Sequence, residues 1–389
     1  MKIEPIKSFN IKIRQSVRSD DTGDGSLEKP SSSREVSSGN AFPSDVVKLT
    51  ILHTNDMHGH AESSPDRNNK SIAVGGFPLI AGAIKKEKEN SENTLLLDAG
   101  DISMGGAVSD YYKAFPMIDA MNTLGYDAMT MGNHELDVGR INLKEVIERA
   151  SFPVLSANIV QTQPDSEKLS VKPYVFKNVA GLKVGILGLT TKDTEQTLAK
   201  KDKELISFAP PADAARRYIP EMKREGADLI ILLSHLGLEA DKKIASEVDG
   251  IDVIIGGHSH TEMPHYEKVG NTIITQAGSF GQNLGKLELE ISRSGGRAKI
   301  IGASSKLIPV KSATVQPDVE VSKIIESYVE KLKPVMKRKI GEAKVDLTQR
   351  DYHIYREESV LGNFVTDVIR DYSSADVAII GSSALRSTT

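Results

Sequence analysis

Cysteine is absent from the 389 residues, and no apolar run approaches the roughly 20 residues that cross a bilayer. The lack of cysteine excludes disulfide scaffolds, thiolate metal ligands and cysteine nucleophiles. An excess of basic residues is also lacking, since the formal net charge is −4. We therefore expect no nucleic-acid groove and no membrane span. The length and the 39% of hydrophobic residues fit a globular protein of about two or three domains.

Residues 1–45 lack the apolar core of about 7–15 residues that a signal peptide needs. Charged side chains such as Lys7, Lys12 and Arg14 interrupt each apolar stretch, and Ser, Gly and Asp dominate the rest. We predict a disordered leader over this range. The sequence does not identify a compartment.

From Val46, short apolar runs alternate with amphipathic stretches suited to helices. The predicted strands are Val46–His53, Thr94–Gly100, Tyr126–Gly132, Phe152–Asn158, Lys183–Thr190, Ala227–His235 and Ile251–Ser259. The predicted helices are Phe77–Asn90, Ile141–Ala150 and Pro210–Gly226. Nearly continuous apolar strands between helices are typical of an α/β core covered by helices.

The pattern changes near Gly270, where three segments have the alternation of antiparallel strands. They are Asn271–Gly278, Lys286–Ser292 and Lys299–Val310. After them the sequence predicts a helix over Asp318–Lys339 that Pro334 ends or kinks, a helix over Glu358–Ser373 and a strand over Ala375–Ile380. We divide the chain into a domain at 46–316, a linker helix at 317–339 and a partial domain at 340–389.

Oxygen and imidazole donors follow five of the predicted strands. Because open α/β sheets build their sites at the carboxyl ends of strands, we expect these donors to converge. Mixed nitrogen and oxygen ligation suits Zn, Mn, Fe, Co or Ni, and seven donors suit two divalent ions with a bridging carboxylate. Two such ions can activate water and clamp a phosphoryl group during in-line displacement. The seven donors are Asp56, His58, Asp101, Asn133, His235, His258 and His260.

The segments ILHTNDMHGH, DAGD, GNHELD, SHLG and GGHSH resemble the five blocks of the calcineurin-like metallophosphoesterases. They are most similar to the 5′-nucleotidase / 2′,3′-cyclic phosphodiesterase family, over about Val46 to Lys311. The resemblance implies a four-layer α-β-β-α sandwich plus the start of a small α/β C-terminal domain. It also implies that the first metal is held by Asp56, His58, Asp101 and His260. The second would be held by Asp101, Asn133, His235 and His258, with Asp101 bridging.

The same resemblance gives His134 a catalytic role: it stabilises or protonates the leaving oxygen and does not bind metal. Asp137, three residues on, would orient its imidazole. The alternative for His134 is a turn cap. Asn158, in another block common to the family, either lines the cleft as a substrate-binding residue or fixes a turn.

The remaining histidines have simpler interpretations. We expect His53 to be a packing residue of its strand, and His60 to line the cleft. His265 and His353 are expected at the surface.

Residues from about Lys339 onward resemble the start of the family's C-terminal substrate domain, through EESVLGN and ADVAIIGSSALR. The resemblance implies that Arg386 faces the substrate, and it places Arg356 one residue out of register with a second substrate arginine. A solvated surface charge is the alternative for both. The two base-sandwiching aromatics of the family domain are not supplied before Thr389. We therefore expect weakened nucleotide discrimination. For the tail, the alternatives are a partner chain that completes the domain, a loosely ordered segment, or a gene that is a fragment.

Three functions remain open. The first is a dimetal phosphohydrolase that cleaves nucleotide phosphoesters: 5′-monophosphates, nucleotide sugars or cyclic phosphates. The second is a broad-specificity phosphodiesterase that has lost nucleotide specificity. The third is a non-catalytic metal-binding protein, and a sulfur-compound hydrolase could use the same metal frame. Relatives in the family are commonly exported.

Overall fold

The computed structural model describes residues 46–293, 298–347, 359–381 and 385. The first half of the chain contains β1 (Val46–Thr54), β2 (Ser64–Pro65), β3 (Ala73–Val74), α1 (Phe77–Glu89), β4 (Thr94–Asp98), α2 (Ala107–Tyr111), α3 (Phe115–Leu124), β5 (Ala128–Thr130), α4 (Arg140–Arg149), β6 (Val154–Leu155) and β7 (Ile159–Gln161). Two short 3₁₀ helices lie at His134–Leu136 and Asp165–Glu167.

The second half of the chain contains β8 (Tyr174–Val179), β9 (Leu182–Thr190), α5 (Thr194–Thr197), α6 (Lys200–Lys203), β10 (Ile206–Phe208), α7 (Pro211–Arg224), β11 (Leu229–His235), α8 (Leu238–Glu247), β12 (Val253–Gly256), β13 (Glu267–Val269), β14 (Thr272–Thr275), β15 (Asn283–Ser292), β16 (Lys299–Pro309), α9 (Val319–Met336) and α10 (Val360–Ser373). Up to β12 most strands of the two central sheets are separated by helices, as the apolar runs predict, but β1–β3 and β6–β9 follow one another with no α-helix between them.

Two six-stranded mixed sheets form the centre of the fold. The first has the strand order β16-β15-β1-β4-β5-β6, with β1, β4, β5 and β6 parallel and β15 and β16 antiparallel. The second has the order β13-β14-β12-β11-β9-β8, parallel from β14 to β9 and antiparallel at both edges. Two small two-stranded sheets, β10-β7 and β2-β3, lie beside them.

Three apolar layers hold the sheets and helices together. Ile51 of β1 and Ile231 of β11 belong to the layer between the two sheets. Leu52, the next residue of β1, lies in the layer that joins the first sheet to α1, α3, α4 and α9. Ile230 of β11 lies in the layer that joins the second sheet to α7 and α8. Helix, sheet, sheet and helix are therefore stacked, which confirms the four-layer sandwich.

Helix α9 packs along this sandwich through one apolar stripe. Val321, Ile325 and Leu332 are almost completely buried in the layer that contains α1 and α3. Asp318 caps the helix by accepting a hydrogen bond from the backbone N–H of Val321 at 2.9 Å. Polar contacts add to the packing, because the Tyr328 hydroxyl donates to Asp119 at 2.7 Å. The predicted linker helix is thus fixed to the main domain along its length.

Helix α9 ends at Met336, just after Pro334 and short of the predicted end at Lys339. The C-terminal part of the sequence prediction needs two further corrections. Residues 375–380 form no strand among the described residues, so the predicted strand over Ala375–Ile380 is wrong there. Strand β14 is parallel to β12 and antiparallel to β13, whereas β15 and β16 are antiparallel as predicted.

Helix α10 confirms the helix predicted over Glu358–Ser373. None of its described side chains is buried, and Phe364 and Val368 are both half exposed. Among the helices that the structure describes, none combines the length and the apolar character needed to span a membrane.

Candidate metal centre

The first group of donors joins loops from the two sheets. Asp56 and His58 follow β1 of the first sheet, and His260 follows β12 of the second. The Nε2 atoms of His58 and His260 are 2.9 Å apart. Asp56 Oδ1 lies 3.4 Å from Nε2 of His260 and 3.8 Å from Nε2 of His58. These three side chains could share one ion.

A second group lies beside the first. Nε2 of His235 is 3.0 Å from Asp101 Oδ2 and 3.2 Å from Asn133 Oδ1. His258 completes the group, with its ligand atom within 4.8 Å of those of Asp101 and His235. The Nδ1–H of His235 donates to the carbonyl of Ala99 at 2.7 Å, which leaves Nε2 directed at the other donors.

Asp101 lies between the two groups. Its Oδ2 is 3.0 Å from His235 of the second group and 3.8 Å from Nε2 of His58 of the first. The carboxylate is almost completely buried at the end of β4. A carboxylate in this position can be shared by two ions.

The backbone of the donor loops is unusual. Five of the donor residues have left-handed φ angles between 45° and 73°, namely Asp56, His58, Asp101, His258 and His260. Neighbouring glycines make the close approach of these loops possible. A Cβ at Gly132 would lie 2.2 Å from Asp101 Oδ1, and one at Gly257 would lie 2.6 Å from the Ala99 carbonyl. The loops therefore require glycine at these two positions.

The charges of the second group are strongly coupled. Burial opposes the ionisation of Asp101, but the His235 and His58 imidazoles outweigh that cost and hold its pKa below its usual range. Burial likewise disfavours the charged form of His235, yet the Asp101 carboxylate raises its pKa to about 10. Burial, followed by the charge on His235, lowers the pKa of His258. Asp101 and His235, both buried, therefore each favour the charged form of the other.

His134 and Asp137 lie beside the two groups. Nδ1 of His134 is 2.5 Å from Asp137 Oδ2, and its ring is 5.1 Å from that of His58. The backbone N–H of His134 donates to Asp101 Oδ1 at 2.9 Å. His134 can also be grouped with His58 and Asp101 as a metal donor. The short bond to Asp137 favours an oriented imidazole over a simple turn cap.

Two residues that the sequence analysis did not single out support the donor loops. Glu135 is buried, and its carboxylate accepts the backbone N–H of Gly132 at 2.7 Å and of Asp101 at 2.9 Å. Asn55 is also buried, and its Nδ2–H donates to Asp56 Oδ2 at 2.7 Å. Asn55 directly precedes the predicted donor Asp56 and Glu135 directly follows the predicted catalytic His134, and this proximity is the signal that could have identified them.

The other predicted residues have varied placements. Asn158 is buried and donates to the carbonyls of Thr190 at 2.8 Å and Ala209 at 3.2 Å, which fits the turn-fixing alternative. His53 is buried in β1 and His265 is exposed, as predicted. His60 is half-buried, with its ring 4.5 Å from that of Phe280. Arg356, Arg386 and His353 lie outside the described residues.

Comparison with known proteins agrees with this geometry. The sequence profile of the calcineurin-like phosphoesterases matches residues 49–262, a range that includes all seven donors. The chain belongs to the calcineurin-like phosphoesterase family. Membership of this metallophosphoesterase family implies divalent metals, and the three overlapping donor groups could hold them.

Several relatives of the chain have names that refer to nucleotides. The rat 5′-nucleotidase is 32% identical over 83% of this chain, and the trifunctional nucleotide phosphoesterase YfkN of Bacillus subtilis is 29% identical over 87%. The solved 5′-nucleotidase precursor of Thermus thermophilus is 30% identical, with a TM-score of 0.73 over 84% of this chain and 67% of its own. The chain spans 59% of the rat protein and 25% of YfkN.

Proposed function

We propose that the protein is a dimetal phosphohydrolase that cleaves nucleotide phosphoesters. The observation that carries the proposal is the position of Asp101 between two groups of donors, with His134 beside them. Donors of mixed nitrogen and oxygen chemistry around one shared carboxylate fit a pair of transition-metal ions. An isolated structural ion would not need two groups or an oriented imidazole.

In this proposal Asp56, His58, Asp101 and His260 hold the first ion. Asp101, Asn133, His235 and His258 hold the second, and Zn, Mn, Co, Fe and Ni are the candidates. Once bound, the two ions would supply Lewis-acid polarisation of a phosphoryl oxygen and a more acidic water. The lowered pKa of Asp101 keeps its carboxylate ionised, and His235 would release its Nε2 proton when it binds the second ion.

His134 would act on the leaving oxygen. Asp137 accepts the Nδ1–H of His134, and this bond orients the ring so that Nε2 would face the phosphoester. From there His134 can donate a hydrogen bond or a proton to the departing oxygen. Glu135 holds the loops that carry His134 and Asp101 together, because its carboxylate accepts the N–H groups of Gly132 and Asp101.

Nucleotides are the proposed substrate class because the relatives include 5′-nucleotidases and a nucleotide phosphoesterase. We assign residues 46–316 to the phosphohydrolase domain, 317–339 to the linker helix and 340–389 to the start of a substrate domain. Arg386 and Arg356 remain candidates for substrate contacts there. The half-exposed apolar side chains of α10, Phe364 and Val368 among them, would be covered by further chain or by a partner chain.

The test is a substrate panel with purified protein. AMP, UDP-glucose and bis-p-nitrophenyl phosphate should be incubated with Mn²⁺ or Zn²⁺, with Asp101→Asn as the inactive control. Metal-dependent release of phosphate from AMP, or of UMP and glucose 1-phosphate from UDP-glucose, supports a nucleotide hydrolase. Similar rates on all three compounds support the broad-specificity phosphodiesterase. No metal-dependent turnover of any phosphoester would refute the proposal and leave a non-catalytic metal-binding protein.

A further inference from the structure

The connection between β14 and β15 crosses from one sheet to the other beside the metal centre. Strand β14 ends at Thr275 in the second sheet, and β15 begins at Asn283 in the first. Residues 276–282, which we call the crossover, supply none of the seven donors. They nevertheless bond to the donor loops of both sheets.

On the side of the first sheet, the crossover binds the loop that carries Asp56. The Asn55 side chain accepts the backbone N–H of Ala277 at 2.9 Å and donates to the carbonyl of Gly278 at 2.6 Å. The backbone N–H of Phe280 donates to the carbonyl of Asp56 at 2.8 Å. The ring of Phe280 also contacts the rings of His58 and His260, at 5.8 and 5.5 Å.

On the side of the second sheet, one glutamine spans the loop that carries His258 and His260. Gln276 is completely buried, and its Nε2–H donates to the carbonyl of Gly257 at 3.1 Å. Its Oε1 accepts the backbone N–H of Thr261 at 2.5 Å and the Ser259 hydroxyl at 3.1 Å. The bonded residues flank His258 on one side and His260 on the other. A single side-chain amide is thus bonded to both ends of the loop, and it fixes the distance between them.

We propose that Gln276 is a positioning residue for both metal sites, because it sets the separation of His258 and His260. His258 is assigned to the second ion and His260 to the first, so the inference rests on the proposed function. Both histidines have left-handed backbone conformations, which residues other than glycine adopt at a cost in free energy. Without the amide, the loop would lose the bonds that hold this conformation, and the two imidazoles would leave their binding geometry.

The test compares two variants with a matched control. Gln276→Met keeps the length of the side chain and removes all three hydrogen bonds. Gln276→Glu keeps an acceptor for Thr261 and Ser259 but loses the amide donor to Gly257. The control is Gln161→Met, because the Gln161 amide also makes three bonds, two of them to the backbone of Leu169 at 2.7 and 3.1 Å, away from the donors.

The measurements are Mn²⁺ affinity by calorimetric titration and the visible absorption of the Co²⁺-loaded protein. We expect Gln276→Met to weaken Mn²⁺ binding about 10- to 100-fold and to change the Co²⁺ spectrum. Loss of a residue that orients metal ligands typically has an effect of this size. Gln276→Glu should give a smaller loss, and it carries the test if Gln276→Met does not fold. Gln161→Met should leave both readouts at wild-type values.

Two results would overturn the inference. Folded Gln276 variants with wild-type Mn²⁺ affinity and an unchanged Co²⁺ spectrum would show that the glutamine is merely structural, even if their melting temperature falls. A wild-type protein that binds no Mn²⁺ or Co²⁺ would instead refute the proposed function, and this inference with it. The wild-type titration therefore separates the two failures.

Discussion

At the scale of single residues, His134 differs from the other histidines of the centre. Its ring is bonded to the carboxylate of Asp137, which is not one of the seven donors, whereas the rings of His58 and His235 lie against Asp101. We expect His134→Ala to lower turnover of a phosphoester about 10²- to 10⁴-fold while bound metal stays at the wild-type level. Metal content by mass spectrometry and initial rates at saturating Mn²⁺ measure the two effects.

Asp137→Asn is the graded companion to that variant. It keeps the shape of the side chain and weakens the bond that orients His134, so a smaller loss of about 10- to 100-fold is expected. If His134→Ala instead loses its metal, His134 is a ligand and its assigned role is wrong.

His53 makes the stability of the protein depend on pH. Neither ring nitrogen has a hydrogen-bond partner among the described residues, and burial lowers the pKa of His53 from 6.5 to about 3. The folded protein therefore keeps this ring neutral while the unfolded chain takes up a proton below pH 6.5. The free energy of unfolding is therefore not reduced by His53 above pH 6.5. Below pH 6.5 it falls by about 1.4 kcal/mol per pH unit as the pH decreases towards 3.

His53→Leu should remove this loss. Between pH 7 and pH 5 the metal-free variant should lose about 2 kcal/mol less unfolding free energy than the wild type, measured by urea denaturation. At pH 7 the replacement of an unpartnered buried imidazole by an apolar side chain should be neutral or stabilising. The exposed His265→Leu serves as control. Equal losses in His53→Leu and wild type would contradict the prediction.

At the scale of elements, α9 is held by a small number of buried side chains. Ile325 is 2% exposed and lies in the layer with α1 and α3. We expect Ile325→Ala to lower the free energy of unfolding by about 2–5 kcal/mol, through lost burial and the cavity left behind. Turnover per folded molecule should not change, because none of the seven donors lies on α9.

The matched control is Val319→Ala on the same helix. Val319 is 67% exposed, so its truncation should change stability by no more than about 0.5 kcal/mol. Urea midpoints for both variants test the difference. If both truncations cost the same, α9 is not held by its buried stripe.

The elements also show which parts of the structure the sequence can predict. Apolar runs ending in polar turns identify β1, β4, β5, β11 and β12, and with them the donors at their carboxyl ends. The pairing of β15 with β1 is not local, so the contacts of Gln276 and Asn55 across the crossover could not be predicted. The strand expected at Ala375–Ile380 fails for a related reason, since a strand needs a neighbour, and the described residues supply none there.

At the scale of the whole molecule, metal binding should couple to folding stability. The His58 and His260 Nε2 atoms lie 2.9 Å apart, an arrangement that a shared ion would stabilise. At a free Mn²⁺ concentration of 100 times Kd, each bound ion should add about 2.7 kcal/mol to the free energy of unfolding. Chelation with EDTA should therefore lower the melting temperature and abolish turnover, and Mn²⁺ should restore both.

Asp101→Asn controls for non-specific effects of the chelator. With its bridging carboxylate lost, this variant should melt at nearly the same temperature with EDTA and with Mn²⁺. A wild-type melting temperature that does not respond to EDTA would show that the donors do not hold an exchangeable ion.

The left-handed backbone at five of the donors lowers the stability of the folded protein. Each such residue costs about 1–2 kcal/mol relative to an ordinary conformation, and glycine at the same position would escape that cost. Replacing the partly exposed His260 with glycine would remove this backbone cost, but it would also give up the stabilisation that the ion held by His260 provides.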